Sequence, residues 1–264
     1  MRFLLSASCL ALVAGCSGPK PEPDAFPLGM QLVYAQDFWD AGAVNEFWIT
    51  DPDHWKVEVR PPLEAGAPSP TGPASWLSVY HRTDRVPFAY RPRVRSPHRM
   101  AIVKNLVVRD FVMEVQVQST GRPYPGRDLI LIFGFQDAER FAYVQLATLP
   151  DERTHNVFVV DHADARRVGA VEFAGMPWTD GTWHTLRLER RTSDGLVRVT
   201  LDDFEEPLFE LTDFTFSEGH VGIGTYDDTG MFAGLKVHAP SNLGGGVTSD
   251  PFVVPRTVPG TIHR

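Results

Sequence analysis

The densest run of side chains able to do chemistry lies between residues 119 and 161. Arg127 and Asp128 stand together, Tyr143 and Gln145 follow two positions apart, and His155 and Asn156 close the stretch. Guanidinium, carboxylate, amide, phenol and imidazole groups converging in a hollow would hydrogen-bond a polyhydroxylated ligand such as a sugar, with the ring against its apolar face. Arg127, Tyr143, Gln145 and Asn156 are the candidate binding residues. Asp128 and His155 are the candidate catalytic ones, the imidazole as acid or base and the carboxylate as its partner. Each also has a plainer role. Arg127 and Asp128 open a strand and can form a surface pair. Tyr143 can be half buried with its hydroxyl at the rim. His155 and Asn156 start a strand after a polar loop, where Asn is a common turn residue.

Glycosidic cleavage usually needs two carboxyl groups about 5–9.5 Å apart. Asp128 could pair with Asp137, Asp151 or Asp161, and spacing alone does not decide among them. A G-x-S-x-G elbow, an H-E-x-x-H zinc motif and a Gly-rich phosphate loop are all missing from the sequence. With 25 Lys+Arg against 33 Asp+Glu, the net charge of −8 speaks against a nucleic-acid partner. The two cysteines, Cys9 and Cys16, support neither a disulfide scaffold nor a structural zinc site.

The elements that must position the candidate set read as strands. From residue 31 to 239, short alternating runs are cut by turn residues, and helical periodicity is nearly absent. Phe111, Met113, Val115 and Val117 share one face against Glu114, Gln116 and Gln118. Leu129, Leu131, Phe133 and Phe135 are expected on one face, with Asp128, Ile130, Ile132 and Gly134 opposite. In the next run Ala142, Val144 and Leu146 are expected in the core, which turns Phe141, Tyr143 and Gln145 toward a groove. Trp183–Arg190 and Leu196–Asp202, joined through Ser193-Asp194-Gly195, predict a hairpin with one buried and one polar face. The polar face, with Arg187, Glu189, Arg198, Thr200 and Asp202, reads as a solvated sheet surface. These patterns predict an all-β, antiparallel two-sheet sandwich or barrel from 264 residues, 43% of them hydrophobic.

Residues 81–99 form an arginine-rich cluster that could meet an anionic polysaccharide or membrane headgroups. The plainer reading is a proline-broken segment whose arginines pair with the surplus carboxylates. The two ends read differently from the body. Residues 1–15 have a positive start and an apolar stretch too short to span a bilayer. Val13-Ala14-Gly15-Cys16 resembles a bacterial lipobox, which implies cleavage before Cys16 and lipidation of its sulfur. That resemblance implies an exported protein anchored in the bacterial cell envelope, on the periplasmic face or the cell surface; the alternative is an ordinary secretory signal with an incidental cysteine. Residues 16–30 then form a Pro-rich tether and 240–264 a flexible tail.

Three further motifs carry a family resemblance: the Gly181-Thr182-Trp183-His184 strand start, the Asp-Gly hairpin ending in Leu201-Asp202-Asp203, and Gly219-His220-Val221-Gly222-Ile223-Gly224-Thr225-Tyr226-Asp227-Asp228-Thr229-Gly230. Together they resemble the concanavalin A-like jelly rolls, in particular the bacterial family named for 3-keto-disaccharide hydrolases. Gln36-Asp37-Phe38 and Trp55-Lys56-Val57-Glu58 resemble the opening of that family. The resemblance covers about residues 31–239 and implies a jelly roll with a carbohydrate ligand and hydrolase activity. The alternative is a non-catalytic carbohydrate-binding, adhesion or scaffold module. The E-x-D-x-x-E pattern of jelly-roll glucanases is missing from residues 31–239. The resemblance also implies a structural calcium on Asp37, Asp227 and Asp228. The acid of the last strand is replaced by Ala233-Gly234, and Asp227-Asp228 equally suits a turn.

Overall fold

The computed structural model describes residues 26–62, 71–81, 87–170, 174–202, 205–246 and 248–252. Cys16, the expected leader and most of the expected tether lie outside these residues. Fifteen strands are described: β1 Gln31–Gln36, β2 Phe47–Ile49, β3 Trp55–Val59, β4 Ser75–Val79, β5 Arg99–Val103, β6 Phe111–Ser119, β7 Asp128–Asp137, β8 Arg140–Ala147, β9 Asn156–Asp161, β10 Arg166–Arg167, β11 His184–Arg191, β12 Leu196–Leu201, β13 Pro207–Thr212, β14 His220–Thr225 and β15 Gly230–Ala239.

They form two antiparallel sheets. The first runs β13-β12-β11-β6-β15-β4-β3, and β1 pairs with the second half of β15, beyond β4. The second runs β10-β9-β8-β7-β14-β5-β2. The alternation predicts an antiparallel sandwich or barrel, and the structure is the two-sheet jelly-roll sandwich that the resemblance implies. Only two short 3₁₀ turns, Ala41–Glu46 and Pro52–His54, interrupt the described β structure as helix.

The inner layer follows from period-two alternation. Met113, Val115 and Val117 of β6 and Leu186 and Leu188 of β11 meet Leu129, Leu131, Phe133, Ala142, Val144 and Leu146 of the second sheet, all buried. The predicted β11–β12 hairpin forms with Leu186 opposite Leu201 and Arg191 opposite Leu196. Its outer face carries Arg187–Glu114 at 2.5 Å and Arg198–Glu210 at 2.7 Å. The exposed Arg198–Glu210 pair is worth about 0–1 kcal/mol, so it dresses the sheet and does not hold it.

One strand departs from strict alternation. Phe135, expected beside Phe133, lies on the opposite face, in a second apolar cluster. Gly134 takes a φ of 59°, and the β7–β8 register shifts between Phe133 and Asp137. A bulge inserts an unpaired residue and inverts the parity of the residues beyond it. Glycine is needed there because a Cβ would sit 2.7 Å from that of Phe216.

That second cluster covers the outer face of the second sheet. Met100, Ile102, Ile130, Ile132, Phe141, Tyr143 and Phe158 form its floor, and Tyr90, Val94, Tyr226 and Phe252 pack against them. The face expected as an open groove is thus a second core roofed by residues 87–98 and 248–252. Asp51 holds the roof by accepting from Ala89 N–H at 2.8 Å and Tyr90 N–H at 3.0 Å. Asp164 accepts from Arg95 N–H at 2.8 Å. Three of the four described arginines of the basic stretch also serve the roof, and the fourth, Arg93, lies 3.5 Å from the Glu139 carboxylate. Arg91 donates to the carbonyls of Phe88 and Tyr90, Arg95 to that of Ala165, and Arg99 to that of Asp228. They satisfy carbonyls that no sheet partner reaches.

Candidate functional site

At one end of the outer face, several strand termini meet. β7 begins with Asp128, β5 begins with Arg99, and β14 ends at Thr225, followed by the Tyr226–Asp228 turn. Gln145 of β8 lies opposite Ile130 of β7 and Asn156 of β9, so the three share a face. Strand ends concentrate polar side chains because backbone groups there run out of sheet partners.

The structure brings four of the six predicted residues to this outer face, Asp128, Tyr143, Gln145 and Asn156, and turns two away. All six are at most 3% exposed. Gln145 Nε2 donates to Asp128 Oδ2, and Tyr226 N–H donates to Asp128 Oδ1 at 3.0 Å. Asn156 is occupied by the backbone: its Oδ1 accepts from Gly169 N–H at 3.0 Å and its Nδ2 donates to Ala170 O. Tyr143 stacks on Phe158 with ring centroids 5.3 Å apart. Its hydroxyl has no hydrogen-bond partner among the described residues, and neither has Gln145 Oε1.

Arg127 points toward the first sheet. Its Nε donates to Ser119 Oγ at 2.8 Å, and its Nη1 donates to Asp180 Oδ1 at 2.7 Å. His155 lies between the sheets, its ring 4.7 Å from Phe209 of β13 and its Nδ1 accepting from Ala147 N–H at 3.1 Å. The expected partnership of His155 with Asp128 is therefore corrected: they occupy opposite faces of the second sheet. The physical reason is local backbone: His155 takes a left-handed φ of 51° just before β9, which turns its ring into the inter-sheet layer while Asn156 faces outward. Burial also drives the imidazole pKa down to about 4, which keeps it neutral.

The residues that complete the cluster are ones the spacing did not single out. Asp228 Oδ2 accepts from Tyr124 Oη at 2.7 Å and from Asp128 N–H at 3.0 Å. Thr225 Oγ1 donates to Asp228 O at 2.9 Å, beside the Arg99 contact with the same carbonyl. The Arg99 guanidinium lies 3.7 Å over the Phe88 ring, and its Nε has no partner among the described residues. Sequence offered one hint: Asp227-Asp228 stands in a polar turn directly after an apolar strand. Nothing local marks Arg99 or Tyr124, whose roles arise from strands far apart in the chain.

Electrostatics follow from the burial. Loss of hydration pushes Asp128 up to about 8, and the negative charges of Asp228 and Asp227 add to this. The N–H donors from Gln145 and Tyr226 oppose the shift without cancelling it. Asp128 thus keeps its proton at neutral pH. Burial also raises Asp228, whereas Tyr124 and the nearby Arg99 favour its ionised form. For Arg99, burial lowers the pKa against the pull of Asp227, Asp228 and Asp128. The rim is more open: Asp227 and His81 are exposed, and Tyr124, Tyr226 and His98 are half-buried.

Asp37 does not join Asp227 and Asp228. It is exposed after β1, where its carbonyl accepts from Ser75 Oγ of β4 in the first sheet. Asp228 is committed to Tyr124 and to the Asp128 backbone. Among the described residues no group of three or more His, Cys, Asp or Glu side chains is placed to hold a metal ion.

No family model and no curated protein matches the chain. Solved structures resemble it distantly. The carbohydrate-binding module CBM66 from Bacillus subtilis aligns at 19% identity and TM-score 0.44, over 56% of this chain and 84% of that one. The cellulose-induced protein Cip1 aligns at 11% identity and TM-score 0.46, over 81% and 100%. Domain 4 of AbnA, a GH43 extracellular arabinanase from Geobacillus stearothermophilus solved with arabinotriose, aligns at 12% identity and TM-score 0.43, over 84% and 97%.

Proposed function

We propose that this protein binds a carbohydrate at the end of the second sheet where Asp128 and Gln145 meet. One observation carries the reading. A buried carboxyl–amide pair sits beneath a rim of Tyr124, Tyr226 and Asp227, and Gln145 Oε1 and Arg99 Nε are left without partners among the described residues. An unpaired buried acceptor or donor costs about 1–3 kcal/mol. A hydroxyl both donates and accepts, so a sugar engaging the rim can offer a donor to Gln145 Oε1. The half-buried tyrosine rings offer apolar surface for its C–H face.

Binding without cleavage is the form of this reading that the residues support. Asp128 is 1% exposed and holds its proton between Gln145 and Tyr226 inside the fold, so it is not placed to protonate a leaving group at the rim. The same proposal places the chain in the bacterial envelope, lipidated at Cys16 and lifted from the membrane by its Pro-rich stretch. A glycan array followed by calorimetry on the full mature chain tests the site. Gln145→Ala should remove binding at this end of the sheet, and Asp227→Ala, an exposed rim change that spares the fold, should weaken it several-fold. Absence of any saccharide ligand at millimolar concentration would leave a scaffold module instead. Palmitate labelling that persists in Cys16→Ser would refute the anchor.

A further inference from the structure

A cavity of about 310 Å³ lies away from the Asp128 cluster, above the turn that joins β7 and β8. Tyr90 and Phe252, from the two roof segments, form its apolar corner, with rings 5.5 Å apart and 74° between their planes. Phe252 also packs on Phe135 at 6.0 Å, so the corner is seated on the second core. The charged lining is balanced: Arg91 and Arg93 face Asp137 and Glu139, with His162 beside them. Glu139 is the notable member. Its carboxylate lies 3.5 Å from Arg93 Nη1 and 3.7 Å from His162 Nδ1, both longer than a good hydrogen bond. Its backbone, by contrast, is fixed: Glu139 N–H donates to Asp137 Oδ1, and Glu139 O accepts from His162 N–H, each at 2.8 Å.

We infer that this cavity is a second binding site, for a single neutral pentose or hexose unit. Its volume is at the small end of ligand pockets, about 300–1,000 Å³, which suits one ring better than a chain. Two aromatic walls offer stacking surface. Balanced charge gives no advantage to an anion or a cation. The loosely held guanidinium and carboxylate supply a donor and an acceptor for ring hydroxyls. Exposed ion pairs at these separations contribute little to folding, so a ligand can take over their contacts cheaply.

The inference does not depend on binding at the Asp128 end, and one experiment separates the two. Saturation-transfer NMR with glucose, galactose, mannose, xylose and arabinose is run on the full mature chain and on three variants. At least one sugar should bind with a millimolar dissociation constant. Phe252→Ala should weaken it about tenfold and Glu139→Gln about threefold. Gln145→Ala should leave it unchanged. Glu139→Gln alters a half-buried turn without changing side-chain volume, so an unchanged melting temperature certifies its fold. Signal that survives both cavity variants and vanishes in Gln145→Ala would overturn the inference and support the polar end alone. Silence from all five sugars at tens of millimolar would overturn it outright.

Discussion

The two faces of the second sheet are both buried, yet they differ in kind. The inner face meets the first sheet and is almost wholly apolar, with His155 as its buried titratable exception. The outer face meets a roof of irregular chain and ends in a knot of carboxyl, amide, guanidinium and phenol groups. A sheet that covers a sheet supplies its own hydrogen bonds. A loop that covers a sheet brings carbonyls and amides that need side-chain partners, and Asp51, Arg91, Arg95, Asp164 and Arg99 provide them. Polar chemistry therefore accumulates on the roofed side, where a ligand site can form.

The sharpest test of this contrast is truncation on the inner face. Phe133→Ala should cost about 3–5 kcal/mol in denaturant unfolding, because the rigid sheets cannot collapse into the void. A loss below about 1 kcal/mol would show that the inner layer repacks freely. The two faces should also fail at opposite ends of the pH scale. Asp128 titrates near 8 when folded and near 3.9 when unfolded, so the folded state binds more protons between those values. Stability should fall as pH rises, by about 3 kcal/mol from pH 6 to 8 if the whole slope is expressed. Asp128→Asn should flatten that limb, since the Gln145 amide can turn its oxygen to the new donor. Equal slopes in the two proteins would remove Asp128 from the account.

On the inner side His155 behaves with reversed sign. Its folded value near 4 lies below the unfolded value of about 6.5, so the folded state binds fewer protons. Stability should be lost as pH falls through that window, by about 3 kcal/mol in all. His155→Asn, which tolerates the positive φ of 51° at this site, should abolish the acid limb. The smallest effect should come from the roof. Asp51→Ala removes the acceptor for two backbone N–H groups and should cost about 1–2 kcal/mol. It should speed amide exchange at residues 89 and 90 while leaving β7 and β8 protected. Uniform acceleration across the sheets would mean that roof and sandwich unfold as one unit.

Much of this is readable along the chain. Alternation in β6, β8, β11 and β12 identifies the inner face, and the Asp-Gly turn locates the hairpin. The inward set Ala142, Val144 and Leu146 puts Tyr143 and Gln145 together on the other side. Phe135 escapes the pattern because a single left-handed glycine in β7 is silent in a hydrophobicity profile. His155 groups with Asp128 in the sequence alone because nothing local announces the left-handed turn before β9 that sends its ring between the sheets. Arg99 and Tyr124 escape notice, and Asp228 is read only as a calcium ligand or turn residue, because their meeting needs β5, the loop before β7 and the turn after β14 to converge, and no local signal encodes that.

Side-chain period, turn chemistry and charge balance are properties of short stretches, and those stretches are enough to specify two antiparallel sheets and their shared core. What covers the remaining face is a different kind of question. Residues 87–98 and 252 reach the second sheet from distant parts of the chain, and their docking depends on surface shape and on carbonyls that find partners only after the sheets exist. Alternation divides a strand into two sides, but it cannot say whether the second side meets water, a ligand or the protein's own backbone.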